Sequence, residues 1–231
     1  TENVVEPQNA VLELKAGEFV ITPEIKGNKL KSEEVSKGII NSIVNREQEI
    51  KFEELGYYEN PIVLSDSKEI IDAKAKLDKY TATNITFNFG DTKELLSGAT
   101  ISTWLDVDEN YNVAINEDYI NSYADSLAAS YNTYGSTRQF STSLGTTATV
   151  VGGDYGWILD KESTIQAIRD AIGSGESVTI DPSYDQSAAS RTGSDVGNTY
   201  VEINLTTQQV WYYKDGNLIT SGSCVTGTAN T

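Results

Sequence analysis

Histidine and methionine are both missing from the 231-residue sequence, and cysteine occurs once, at Cys224. Without an imidazole the chain cannot assemble a Ser-His or Cys-His nucleophile pair or a histidine-containing zinc site. A single thiol makes no internal disulfide and no cysteine cage, so cysteine usage leaves the redox compartment open. No apolar run approaches the roughly 20 residues that a membrane-spanning helix needs, and no secretory leader opens the chain. The first residues are Thr-Glu-Asn, so either no such leader belongs to the protein or a segment ahead of Thr1 was removed. Basic residues number 17 against 34 acidic ones, for a net charge of -17. No stretch gathers lysine and arginine into a patch that neutralises phosphates, so the sequence predicts no nucleic-acid partner.

What is present suffices for a folded protein. Hydrophobic residues make up 38% and charged residues 22%, with 13 tyrosines and a mean hydropathy of -0.36. That balance belongs to a globular chain long enough for one large or two ordinary domains. Residues 1–18 are polar and weakly patterned. Phe19-Val20-Ile21 reads as a strand ended by Pro23, and Ser32 reads as the N-cap of a helix carrying Val35, Ile39, Ile40 and Ile43 at helical spacing. Ile50-Lys51-Phe52 alternates like a returning strand. A lysine-rich helix is expected over residues 65–79, a strand over 85–89, and a hairpin from Trp104-Leu105 to Val113–Ile115. Asn116 caps the most regular helix, whose stripe is Ile120, Tyr123, Ala124, Leu127, Ala128 and Tyr131. A second hairpin turns at Gly145. Strand Trp157–Leu159, a helix capped by Asp160 with Ile165, Ile168 and Ile172 on one face, and strand Val178–Ile180 come next.

Aligning Leu30 with Leu159 superposes Ile39 on Ile168 and Ile43 on Ile172, the signature of a repeat; two unrelated amphipathic helices would share the same period. Helices and hairpins that intersperse without strict alternation predict an α+β fold. Residues 183–198 are rich in serine, glycine and aspartate and poor in large apolar groups, which marks a linker. Beyond them come strands at 200–205 and 210–213, a Lys214–Asn217 turn, and Leu218-Ile219. Asp106, Asp108, Asn110, Asn112 and Glu117 partly fit a calcium-loop template, but Tyr111 occupies the position that requires glycine, and a hairpin turn accounts for the same residues. Asn84-Ile85-Thr86 and Asn204-Leu205-Thr206 fit the glycosylation pattern inside expected strands.

The segment Thr199–Thr206 followed by Gln208–Gly216, with Val225-Thr226-Gly227 after it, resembles the opening hairpin of a YkuD-type L,D-transpeptidase catalytic domain. Upstream, residues 104–184, with Tyr131-Asn132-Thr133-Tyr134-Gly135 and Gly153-Asp154-Tyr155-Gly156-Trp157, are similar to the peptidoglycan-binding domain that precedes such catalytic domains. The resemblance divides the chain into residues 1–103, an α+β region in which a diverged binding unit is one reading; 104–184, the binding domain; 185–198, a linker; and 199–231, the front of the catalytic domain. It implies cross-linking of peptidoglycan stem peptides through a cysteine acyl-enzyme. That chemistry draws on a histidine stretch and a Ser-x-Gly-Cys-x-Arg signature, neither of which occurs here, so no catalytic residue is assigned and the chain is expected to be inactive.

Cys224 lacks both a histidine and the signature glycine, and reads as a small apolar side chain. No cofactor or metal is implied. The implied partner is peptidoglycan, the implied location the cell surface or wall, and the implied membrane link an anchor ahead of Thr1; the sequence does not fix the oligomeric state. Trp104, Tyr134, Tyr155 and Trp157 offer ring faces suited to stacking on sugars, with core packing as their other fate. A non-enzymatic surface protein of the VanW type and an adhesin-like stalk are the alternatives.

Overall fold

The computed structural model describes residues 3–227. Along the chain the elements are β1 (Val11–Lys15), β2 (Glu18–Thr22), α1 (Ser32–Asn45), α2 (Lys68–Thr81), β3 (Ile85–Phe89), β4 (Thr92–Leu96), α3 (Gly98–Ser102), β5 (Leu105–Val107), β6 (Val113–Ile115) and α4 (Glu117–Tyr131). They continue with β7 (Arg138–Ser141), β8 (Thr147–Val150), β9 (Ile158–Leu159), α5 (Lys161–Ser174), β10 (Val178–Ile180), β11 (Tyr184–Gln186), β12 (Tyr200–Asn204), β13 (Gln209–Lys214) and β14 (Asn217–Ser223). Helices and several small sheets share the chain without regular alternation, so the fold is α+β. The elements sort into two compact units that interleave in sequence.

The first unit holds the chain up to Thr83, with Ser97–Asn116 and Ile172–Glu176. Its core forms where α2 lays Ala73 and Leu77 against Phe19 of β2 and Leu105 and Val113 of the β5–β6 hairpin. A smaller cluster joins Ile70 to Ala10 and Val63. Each fully buried Leu or Ile side chain contributes about 1.5–3 kcal/mol. The Tyr111 hydroxyl donates to the Ala10 carbonyl, which ties the β5–β6 turn to the chain just ahead of β1. Strand β1 lies inside the segment that reads as weakly patterned. It pairs with β2 across Ala16-Gly17, both at positive φ (53° and 87°), which suits the twist of a two-residue hairpin turn.

Two expectations differ from this unit. Lys31 occupies the cap position of α1 and makes no side-chain cap bond; Ser32 is the first helical residue. Ile50-Lys51-Phe52 forms no strand, and residues 52–56 run as turns. The turn takes up their carbonyls instead: Lys51 accepts from the Leu55 amide at 3.2 Å and Phe52 from the Tyr57 amide at 3.0 Å.

The second unit holds Asn84–Leu96, Glu117–Ala171 and the chain from Ser177. Its central sheet has the order β10-β3-β4, with β10 parallel and β4 antiparallel to β3. A parallel pair needs a long crossover, and here α4 and α5 lie between the two strands in sequence. Ile85, Phe87 and Phe89 on one face of β3 are buried, as are Ile120, Ala124 and Leu127 along α4. Two-stranded sheets β7–β8 and β9–β11 and a three-stranded sheet β12-β13-β14 complete the unit. Strand β4 is not foreshadowed by the sequence, because Thr-Lys-Glu-Leu-Leu lacks the β-branched alternation that announces β3.

Candidate functional site

The sites that sequence alone suggests are aromatic, and the fold separates them. Trp104 is 5% exposed and belongs to the first unit, so its ring is core and has no face free for a ligand. The other three meet in the second unit. Backbone amides of Thr133 and Tyr134 both donate to the Trp157 carbonyl, at 3.0 and 3.2 Å, and the Gly135 amide donates to the Tyr155 carbonyl at 3.3 Å. These bonds lay the 133–135 turn against the 155–157 segment. Tyr134 is 47% exposed and Tyr155 39%, while Trp157 is half-buried.

Gly156 permits this approach. Its φ is +131°, and a β-carbon there would stand 2.4 Å from the backbone of Thr133 and Tyr134. Gly156→Ala is therefore expected to open the turn and cost about 2–4 kcal/mol in a denaturant titration. A loss under about 0.5 kcal/mol would show that the two segments are not in contact.

Beneath the exposed rings lies an ion pair. Arg138 donates through Nε to Asp195 Oδ1 at 2.8 Å and through Nη2 to Oδ2 at 2.7 Å, with the two side chains only 13% and 12% exposed. The same guanidinium donates to the carbonyls of Ser136, Thr133 and Tyr155, and sits 5.5 Å from the Tyr155 ring centroid. Asp195 also accepts from the Thr133 hydroxyl at 2.6 Å. The Arg138 hydrogen bonds hold the Asp195 carboxyl below the usual carboxylate range and raise the guanidinium's own pKa.

A second arginine anchors the rings from behind. The Arg191 guanidinium carbon lies 5.2 Å from the Phe89 and Trp157 ring centroids and 5.1 Å from that of Tyr184, and Nη1 donates to the Tyr131 carbonyl at 3.0 Å. Among the described residues Nε and Nη2 are buried without a hydrogen bond of ordinary geometry, so ring faces largely take the place of acceptors around this cation. Phe89 in turn stacks on Tyr131 at 3.8 Å with rings 2° from parallel. The Tyr131 hydroxyl donates to Glu94 at 2.8 Å. Burial raises the pKa of Tyr184, a shift the Arg191 charge opposes.

The stretch 185–198 carries the composition of a spacer, yet it is fastened at many points. Trp157 Nε1 donates to the Ser190 carbonyl at 2.8 Å, the Tyr155 hydroxyl donates to the Asp195 carbonyl at 2.9 Å, and the Ala189 amide donates to that hydroxyl at 2.7 Å. The Gly193 amide reaches Asp91 at 3.0 Å. Arg191 and Asp195 are the charged groups that turn a serine- and glycine-rich run into a packed segment. Their partners lie far away in sequence, so composition does not reveal them.

Beside the ion pair, a cleft of about 450 Å³ opens along one face of the β7–β8 hairpin, lined by Phe140, Ala148 and Val150, with Tyr200 and Glu202 of β12 on its other side. Glu202 is buried and accepts from the Ser143 amide at 2.9 Å and from the Ser143 hydroxyl; that hydroxyl also lies 2.8 Å from the Tyr213 hydroxyl. The arrangement offers aromatic faces, backbone hydrogen-bonding groups and an apolar groove, suited to holding a ligand. Among the described residues no cluster of three metal-ligating side chains occurs. The Asp108 carboxylate is occupied by the Asn110 and Asn112 amides and the Asn112 side chain, which makes that loop a closed turn. Cys224 continues the ladder of the last sheet, its amide donating to the Gln208 carbonyl at 2.8 Å.

Residues 1–51 and 65–181 match the family model described as "Putative peptidoglycan binding domain". No curated protein matches the sequence. Among solved structures, the Ldtfm-avibactam carbamoyl enzyme is similar at 24% identity and a TM-score of 0.56, over 70% of this chain and 63% of that one. The C442S mutant of the Enterococcus faecium L,D-transpeptidase is similar at 25% identity and a TM-score of 0.54, over 68% of this chain and 62% of that one. The chain thus spans less than two thirds of the length of either structure.

Proposed function

This chain belongs to the peptidoglycan-binding-domain family, and on that premise we propose that it is the non-catalytic, wall-holding region of an L,D-transpeptidase, positioning that enzyme on its polymer. The family match over 1–51 and 65–181 is the observation that carries the reading. Residues 104–184 do most of the holding, 185–198 join them to the C-terminal segment, and that segment, 199–231, is the front of a β-rich catalytic domain. The last sheet supports the final assignment: within β12–β14 only Glu202 is buried, while Val201 and Ile203, side by side on one face of β12, are more than half exposed. An apolar sheet face of this kind calls for further structure against it. The site of action is the cell wall, outside the cytoplasmic membrane and tethered to it by an anchor ahead of Thr1.

Recognition rests on stacking and hydrogen bonding. Tyr134 and Tyr155 offer sugar rings an apolar face with a hydroxyl at its edge, and Trp157 holds their loops in register. A surface of net charge -17 gains nothing from an anionic wall, so charge attraction plays no part. Co-sedimentation with purified sacculi tests this. The chain is expected to be retained, and retention should hold or rise as salt goes from about 0.05 to about 0.5 M, because screening removes repulsion only. No enrichment over an unrelated acidic protein would count against the proposal.

A further inference from the structure

We propose that Asp195 is a positioning residue for the wall-facing rings, and that the strap formed by residues 189–197 belongs to the recognition site and opens less often when a wall fragment occupies it. The proposal rests on the reading of Tyr134, Tyr155 and their surroundings as the wall-binding face. It adds to that face a buried carboxylate and a segment whose composition is that of a spacer.

Asp195 is where the two ring-bearing loops converge. Its side chain, 12% exposed, accepts from the Thr133 hydroxyl at 2.6 Å, and the oxygen of that hydroxyl accepts from the Trp157 amide at 2.9 Å. A hydroxyl both donates and accepts, so Thr133 passes the hold of Asp195 on to the backbone of Trp157. On its other side the carboxylate pairs with Arg138, whose remaining protons go to the carbonyls of Thr133 at 2.9 Å, Ser136 at 2.9 Å and Tyr155 at 3.1 Å.

Tyr155 is gripped at both ends. Its carbonyl accepts from Arg138, while its hydroxyl donates to the Asp195 carbonyl at 2.9 Å and accepts from the Ala189 amide at 2.7 Å. The Arg138 guanidinium lies over one face of the ring, 5.5 Å from the centroid, so the opposite face is the one left for a ligand. The strap sets the tilt of that face. Trp157 is tied to the same strap, its Nε1–H donating to the Ser190 carbonyl at 2.8 Å.

Fixing a side chain before a ligand arrives removes its ordering cost from the binding step. These bonds therefore act twice, fastening the strap and holding Tyr155 and Trp157 in the pose a ligand meets. Linkage makes the effect reciprocal: a ligand that prefers the fastened form slows strap opening by the factor by which fastening strengthens its binding. No strand ladder holds residues 189–197, and their bonds to the ring loops run through side chains, so the strap can open without the rest of the unit.

The test titrates the chain Thr1–Thr231 with soluble muropeptides and reads affinity and amide exchange together. At saturation, exchange of the 189–197 amides is expected to slow by about tenfold, and Asp195→Ala to bind about tenfold more weakly, with Asp195→Asn between it and the parent. The fastened form already dominates in the free chain, so occupancy shows in exchange and leaves the strap's resonance positions in place. A purely structural role for Asp195 would weaken binding in the variant without slowing the strap of the parent chain, and that measurement needs no variant to fold. Saturable binding with unchanged exchange at 189–197 overturns this proposal and leaves the wall reading standing. So does an Asp195→Ala chain that opens the strap yet binds as tightly as its parent. No saturable binding by the parent chain overturns both.

Discussion

Replacing Asp195 with alanine is expected to destabilise the second unit by about 3 kcal/mol in a urea titration. The substitution leaves the Arg138 guanidinium, only 13% exposed, without the carboxylate that accepts two of its hydrogen bonds. It also removes the acceptor of the Thr133 hydroxyl. Because Asp195 sits within 185–198, the loss should be local as well as global: amides from Ala189 to Gly197 exchange faster while the β3 amides stay protected. Asp195→Asn keeps one acceptor and should recover part of the loss. The pH dependence comes from the direction of the shift. A carboxyl whose folded pKa is depressed contributes stability that is present above its unfolded pKa, about 4, and is lost as pH falls through the folded value. The gap between wild type and Asp195→Ala should therefore narrow below about pH 4 and be flat above about pH 5.

Trp157→Ala should cost about 3 kcal/mol and abolish retention on sacculi. The indole supplies three things at once: a ring 4.5 Å from that of Tyr184, a face 5.2 Å from the Arg191 guanidinium carbon, and the hydrogen bond to the Ser190 carbonyl. Loss of binding in this variant alone would be ambiguous between lost stacking and a collapsed loop. Tyr134→Ala separates them. Its ring is half exposed and only its backbone is engaged with Trp157, so stability should stay within about 0.5 kcal/mol while sacculus retention falls. If Tyr134→Ala binds as well as wild type, the aromatic face is structural.

The elements that sequence predicts well carry their own pattern. Strand β3 alternates Ile85, Phe87 and Phe89, and α4 spaces Ile120, Ala124 and Leu127 along one side; both bury that set. The β7–β8 hairpin and the Asp160 cap, which accepts from the Ser163 amide at 2.9 Å, are equally local. The misses depend on distant partners. β1 needs the positive φ of Ala16 to show itself as half of a hairpin, and β4 needs β3. The stripe on α1 predicts a buried face, but a stripe reports only that a helix can be covered.

The candidate site divides the same way. Tyr134, Tyr155 and Trp157 are visible as aromatics near glycine turns, and the fold brings them together through Gly156, whose positive φ no other residue adopts easily. Trp104 has the same aromatic character and a different fate, because residue type does not encode which unit a hairpin joins. Arg138, Asp195 and Arg191 leave no local trace. Their pairing spans 57 positions in one case and, through Arg191 and Tyr131, 60 in the other.

Wall recognition by the second unit is tested most directly by titrating the isotopically labelled chain with soluble muropeptides and reading amide and aromatic resonances. Saturable shifts confined to 133–135, 155–157 and the neighbouring β7–β8 cleft, unchanged by salt, are expected. Absence of saturable shifts, or shifts confined to the first unit, would contradict it.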